Sequence, residues 1–263
     1  MHPDVVVDVG NTRIKWGWGP PGGPLEIASL PPDDPAAWAD QLARLPAVSG
    51  PRSWAMAGVH PDRLARLRDW VEARGDRVRV ITHADIRLPI DVEEPARVGI
   101  DRLLNAVAAR AFYEGEAFDP GTPVVVIDIG SAMTMDVLHQ GGVFRGGAIL
   151  PGPWMMARAL HEFTAKLPQV DPWTPGPAPA PGRNTTQAIQ SGIQAAVLGA
   201  AVAFIREING HPDAPKPAAV VTGGGREFLR RLRGAAELVA LAKVPELTLD
   251  GIRLAAAGLC TTT

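Results

Sequence analysis

One cysteine, Cys260, is all that 263 residues contain, and that scarcity excludes an internal disulfide and any zinc site built on cysteine. It fits a reducing compartment, so a cytoplasmic protein is expected. Excess charge is missing too. With 26 Lys and Arg against 28 Asp and Glu, the net charge is −2, too small for the electrostatic footprint of a nucleic-acid or anionic-membrane binder. The arginines alternate with acids, as in "RLARLRDWVEARGDRVRV", a pattern of solvated helix faces. No uninterrupted apolar run approaches the roughly 20 residues that span a bilayer. The first residues lack the basic start and apolar stretch of a secretory signal. Neither a nucleic-acid nor a membrane partner is expected.

What the sequence does hold is a mixed pattern of strands and helices. Strand-like runs fall at 4–9, 14–18, 53–59, 78–82, 123–129, 133–138, 143–149 and 218–222. Helical patterns fall at 34–45, 61–74, 100–113, 153–164, 185–208, 225–233 and 250–258. Their interleaving predicts an α/β protein, and the length suffices for one large or two small domains. The loop "EGEAFDPGTP", around 114–123, is the expected boundary, giving halves 1–114 and 115–263. The stretch "DPWTPGPAPAPGR", 171–183, is too rich in proline for a helix or a central strand. Long loops of this kind either lie over functional sites or run as surface linkers. Behind it, Asn184 or Thr185 can cap a helix, and Gln187 suggests a capping box. The helix that follows is small and apolar on several sides, which predicts burial at a domain or subunit interface.

One pattern is written twice. "VVVDVGNTRIKWGWG" (5–19) and "VVVIDIGSAMTMDV" (124–137) each run strand, aspartate, any residue, glycine, small polar residue, strand. Asp8 and Asp128 are 120 positions apart (128 − 8), as are Gly10 and Gly130 (130 − 10). Such a glycine lets the chain reverse tightly and keeps side chains away from a bound group. The exposed N–H groups of the turn, joined by the hydroxyls of Thr12 and Ser131, can cradle phosphate oxygens. A carboxylate at the strand end can hold a cation or its water shell, and Lys15 adds positive charge. One Asp-x-Gly turn is usually a plain hairpin; two matched copies suggest a grip on a triphosphate from both sides. A third element, "AAVVTGGG" (218–225), ends a strand in bare backbone against which a nucleoside can lie. Together these resemble the duplicated ribonuclease H-like fold of sugar kinases, actin and Hsp70-type ATPases, with a nucleotide cleft between two actin-like halves.

The pieces "DVGNTRIK" (8–15), "GIDRLLNAVAA" (99–109), "DIGSAMTMDV" (128–137), "GGAILPG" (146–152), "NTTQAIQSGI" (184–193) and "TGGG" (222–225) together resemble the type III pantothenate kinases in order and spacing. That resemblance implies transfer of the ATP γ-phosphate to pantothenate, the first step towards coenzyme A. It implies a homodimer that uses Mg²⁺ and a monovalent cation, K⁺ or NH₄⁺. It makes Asp101 the catalytic base and Gly99, Ile100, Asp101 and Arg102 the pantothenate segment. Asp8, Gly10, Asn11, Thr12 and Lys15 would hold ATP phosphates, with Mg²⁺ near Asp8. Gly130 and Ser131 would contact ATP from the second hairpin, Gly223 and Gly224 would receive the nucleoside, and Asp128 would ligate the monovalent cation. Thr185 would reach pantothenate, in the partner subunit's site.

The residue types suit these roles. Phosphoryl transfer needs alignment and charge neutralisation more than covalent chemistry, so a weak carboxylate base suffices. Arg102 matches a planar anion, and Thr185 at a helix start faces one naturally. Taken alone, Asp101 reads first as a helix cap, Thr185 equally as a cap and Arg102 equally as a surface ion pair. His60 and His161 are assigned no role. The chain departs from the family pattern twice: Val92 stands where a pocket tyrosine is usual, and the second hairpin reads "GSAMT" in place of Gly-Thr-Ala-Thr-Thr. Two alternatives stay open, a kinase for another small alcohol and a nucleotide-binding regulatory protein. Retention of Asp8, Asp101 and Asp128 favours an enzyme.

Overall fold

The Val/Ile runs Val5–Val9 (β1) and Val124–Ile129 (β6) are buried along nearly their whole length. A strand shielded on both faces belongs at the middle of a sheet, and each is the central strand of a five-stranded sheet in the computed structural model. The structure describes residues 2–114, 121–173, 178–210, 216–229 and 238–258. The chain divides into two compact units, Met1–Gly115 with Glu246–Thr263, and Glu116–Pro245.

In the first unit β1 pairs antiparallel with Ile14–Trp18 (β2), which pairs antiparallel with Glu26–Leu30 (β3). On its other side β1 runs parallel to Ser53–Gly58 (β4), and β4 parallel to Arg77–Val80 (β5). In the second unit β6 pairs antiparallel with Ala132–His139 (β7) and β7 with Val143–Pro151 (β8). Parallel to β6 lies Ala218–Thr222 (β9), and parallel to that lies Ala240–Lys243 (β10). The orders β3-β2-β1-β4-β5 and β8-β7-β6-β9-β10 are the same topology, so the duplication read from the two aspartate turns extends to entire sheets.

Helices Pro35–Arg44 (α1), Pro61–Glu72 (α2) and Ile100–Glu114 (α3) belong to the first unit. Its core is rich in tryptophan: Trp16, Trp38 and Trp54 are fully buried, and Trp16 meets Trp54 edge-on at 4.9 Å between ring centres. In the second unit Pro153–Glu162 (α4) is followed by the long Thr185–Asn209 (α5). The buried residues Ile189, Ile193, Val197, Ala201 and Ile205 recur every four positions along α5 and pack with Val125, Ile127 and Ile129. The remaining faces of α5 expose small residues, Ala188, Gly192, Ala195, Ala196, Gly199 and Ala203. Among the described residues α5 is the one helix long and apolar enough, by length and composition, to cross a membrane, and 28% of its apolar window is buried.

The last helix, Leu247–Ala257 (α6), packs on α3. Gly251 permits the approach, because a Cβ there would collide with the Leu104 backbone, its Cα at 3.0 Å. Beside it Thr248 Oγ1 donates to Asn105 Oδ1 at 2.8 Å in a buried pair. This helix therefore belongs to the first unit, whereas a single cut at 114/115 assigns it to the second half. Two strands missed in the sequence, β3 and β10, are sheet edges. The helix expected at 225–233 begins as a 3₁₀ turn, Arg226–Leu229. Its residues 230–233, Cys260, and residues 115–120 and 174–177 of the two loops lie outside the described residues.

Candidate active site

The first hairpin is closed by Gly10, whose N–H donates to Arg13 O at 3.0 Å. A Cβ on Gly10 would sit 3.1 Å from that oxygen, so the tight return favours glycine. Asn11 and Thr12 are exposed at the tip. Arg63, at the start of α2, donates one guanidinium nitrogen to Asn11 O and the other to Asp33 Oδ2 at 2.8 Å. Asp8 pairs in register with Lys15 across β1 and β2. Lys15 Nζ also donates to Glu246 Oε2 at 2.7 Å, both side chains being about three-quarters covered. The lysine expected to face phosphate therefore shares its charge with a carboxylate at the head of α6.

The second hairpin reverses over two residues, Gly130 and Ser131, against four in the first. Gly130 N donates to Ala132 O at 2.9 Å. Behind it, Gly152 N donates to Ser131 O at 3.0 Å, and a side chain at Gly152 would come within 2.6 Å of that oxygen. The parallel pairing of Asp128 with Thr222 brings the glycine turn alongside. Gly223 has φ +82, and any Cβ there would collide with the Asp128 carboxylate and lie 2.6 Å from Ile129 O. Both the backbone angle and the space demand glycine. Gly224, by contrast, is exposed with open space on its side-chain face. Asp128, Gly130, Ser131, Gly223 and Gly224 thus converge within the second unit.

Gly99–Arg102 forms the N-terminus of α3, where the N–H groups of Arg102 and Leu103 donate to Gly99 O at 3.1 and 3.3 Å. The Asp101 carboxylate accepts from Arg102 N at 2.9 Å. Gly99 makes room for it, since a Cβ there would stand 2.5 Å from Asp101 Oδ1. Burial pushes the Asp101 carboxyl above its ordinary pKa, and the N–H and guanidinium of Arg102 offset this only in part. Desolvation wins at this helix N-terminus, where the dipole alone would favour the charged form. From the side, His83 Nε2 is 2.8 Å from Val98 O, and its turn is fixed by a Thr82–Asp85 capping box and an Arg79–Asp85 ion pair at 2.5 Å. Ile100 is buried and Val92 half-buried in the segment just ahead.

Thr185 lies in the second unit as the first, exposed residue of α5. Asn184 is the N-cap, accepting from Gln187 N at 2.9 Å, so the Thr185 hydroxyl is not the cap. Gln187 does not complete a capping box; its Oε1 accepts from Arg183 N at 3.0 Å. His60 is the N-cap of α2 without a side-chain bond, and His161 Nδ1 meets Leu167 O at 2.9 Å. Arg63, His83 and Glu246 were missed in the sequence. Each acts across a long stretch of chain, and none belongs to a motif.

Among the described residues no group of three or more His, Cys, Asp or Glu side chains could hold a metal ion. Asp8 and Asp128 each offer one carboxylate beside a glycine turn. That donor set fits cations that keep water and phosphate as most of their ligands.

A family model described as Type III pantothenate kinase matches residues 5–207. Over 262 residues the chain is 33% identical to the type III pantothenate kinase of Gluconobacter oxydans, covering 96% of this chain and 92% of that protein. Over 152 residues it is 42% identical to the type III pantothenate kinase of Rhodopirellula baltica, covering 56% of this chain and 51% of that protein. Among solved structures, the activator of 2-hydroxyisocaproyl-CoA dehydratase from Clostridium difficile with bound ADPNP aligns over 98% of this chain and 94% of its own, with TM-score 0.53 and 13% identity. That last likeness is one of fold.

Proposed function

The chain belongs to the type III pantothenate kinase family, and from that premise we propose that it transfers the γ-phosphoryl group of ATP to the primary hydroxyl of pantothenate. The products are 4′-phosphopantothenate and ADP, the first step of coenzyme A synthesis. The observation that carries the reading is the repeated sheet with an Asp-x-Gly hairpin at the centre of each copy.

In this reading the N–H groups around Gly10, Asn11 and Thr12, and around Gly130 and Ser131, hold phosphate oxygens. Lys15 adds charge, and the nucleoside lies on Gly223 and Gly224. Asp101 orients the acceptor hydroxyl and takes its proton as the new O–P bond forms and the bond from Pγ to the departing ADP oxygen breaks. Its raised pKa makes it a better proton acceptor than an ordinary carboxylate. Arg102 pairs with the pantothenate carboxylate, and Gly99, Ile100 and Val92 line the acceptor pocket. Mg²⁺, held by phosphate and water near Asp8, would neutralise charge on the transferring group. K⁺ or NH₄⁺ is assigned to Asp128.

We assign the small exposed face of α5 to a homodimer in which Thr185 serves the partner's acceptor site. The exposed Ile149, Trp154, Met155 and Phe163 of the same unit support that assembly, since large apolar side chains left in water gain by burial against a partner. The working compartment is the cytoplasm. The test is purified protein with ATP, Mg²⁺ and K⁺, offered pantothenate beside a panel of other small alcohols and read by mass spectrometry. Phosphorylation of pantothenate above the rest is expected. Preference for another alcohol would refute the assignment of substrate, and Val92 would be the first residue to examine.

A further inference from the structure

The described residues of the proline-rich loop before α5 are tied down by side chains at Asp171, Ala178 and Arg183. Proline-rich backbone has few N–H groups and cannot build its own ladder. Gln187, Gln190 and Gln194 stand at helical spacing on the opening turns of α5 and bond the loop instead. Gln187 Oε1 accepts from Arg183 N at 3.0 Å, Gln194 Oε1 accepts from Ala178 N at 2.9 Å, and Gln190 Nε2 donates to Asp171 O at 2.9 Å. Asp171 in turn accepts from Trp173 N at 2.8 Å through its side chain, a local turn that fixes where the indole goes.

The indole goes to the glycine turn. It packs edge-on against Phe228 at 4.9 Å between ring centres and 70° between planes. Its outer edge reaches Gly225, where a Cβ would stand 2.8 Å from Trp173 Cη2 and collide with Ile129. Gly225 N donates to Ile129 O, and Phe228 N to Gly225 O, both at 2.9 Å. Ile129, Trp173 and Phe228 therefore enclose one side of the turn Gly223–Gly225, while Gly224 stays open.

We infer that Trp173 is a positioning residue for nucleotide binding. It holds the three-glycine turn in the form that receives a purine nucleoside di- or triphosphate, and the glutamine row of α5 anchors the loop that carries it. The inference rests on the assignment of the nucleoside to Gly223 and Gly224. Three successive glycines are the freest backbone a chain can have. With the indole removed, the turn samples other forms and the ligand must supply the ordering. Ordering about one residue's backbone weakens binding on the order of tenfold.

The test is calorimetric titration of the intact protein with ADP, beside steady-state kinetics in ATP. Trp173→Ala is expected to weaken ADP about tenfold and raise the KM for ATP equally, with kcat at saturating ATP and the KM for pantothenate little changed. Trp173→Phe, which keeps a ring on Phe228, is expected to recover most of the affinity. Gln190→Leu, which releases Asp171, is expected to reproduce the loss in weaker form. If the alanine variant does not fold, Trp173→Leu is measured in its place. Wild-type binding of ADP with the same affinity in the variant would overturn the inference and leave the proposed function standing. A variant that loses kcat or pantothenate affinity while ADP binding is intact would overturn it too. A wild-type protein that binds no ADP would overturn both.

Discussion

Asp101→Asn keeps the size of the side chain and an oxygen to accept the Arg102 N–H, but removes the charge and the capacity to take a proton. General-base assistance contributes roughly 10² to 10⁴ in rate, which at about 1.4 kcal/mol per tenfold is roughly 3 to 5.5 kcal/mol of barrier. Turnover should fall by that factor while nucleotide binding persists. A second consequence follows from the burial that raises the Asp101 pKa. The folded state binds this proton more tightly than the unfolded chain does. Stability attributable to the group is therefore lost as pH rises from the ordinary carboxylate value through the raised one. At neutral pH the wild type carries the cost of a desolvated charge and the amide does not. Asp101→Asn should thus melt higher than wild type at neutral pH, with the gap closing in acid where both side chains are neutral. Melting curves across pH, coupled to a discontinuous kinase assay, measure both effects on one preparation. Near-normal turnover would remove Asp101 as the base, and a lower melting temperature at neutral pH would show that its buried charge is not a cost to the fold.

Three further outcomes are expected. Gly99→Ala places a methyl where the Asp101 carboxylate lies, 2.5 Å from Oδ1, and should lower kcat by about 10²-fold with the Kd for ADP unchanged; unaltered kcat would show that the carboxylate has room to move without consequence. Glu246→Gln removes the carboxylate charge 2.7 Å from Lys15 Nζ and should lower the KM for ATP; a raised KM would mean that the pair itself shapes the phosphate site. Replacing K⁺ by Na⁺ at constant ionic strength should depress the rate through Asp128, and Asp128→Asn should abolish the difference; equal rates in both salts would remove the cation from that residue.

The central strands were legible because β1, β4, β6 and β9 are buried on both faces and must be written almost wholly in apolar residues. The edges were not. β3 is "EIASL", mostly exposed, and β10 is "ALAK"; an edge strand covered on one side carries too little periodicity to separate it from loop. The placement of α6 depends on Gly251 meeting Leu104, a pairing of distant positions that local pattern cannot contain. At the candidate site the aspartates stood out because their motif is written twice, and the glycines beside them include Gly152 and Gly223, where close approach or backbone angle admits no other residue type. Arg63, His83 and Glu246 did not, since each serves by touching a carbonyl or a lysine far along the chain, and many residue types at many positions could do as much. Trp173 lay in a stretch that composition marks only as loop, and its partners Phe228 and Gly225 are more than fifty residues away.

The most direct measurement is a crystal structure with a non-hydrolysable ATP analogue and pantothenate bound. Under the proposed function, phosphate oxygens are expected to be hydrogen-bonded to N–H groups of both Gly10–Thr12 and Gly130–Ser131, with an Asp101 oxygen about 2.6–3.2 Å from the acceptor hydroxyl. A nucleotide bound by one hairpin alone, or an acceptor hydroxyl remote from Asp101, would contradict it.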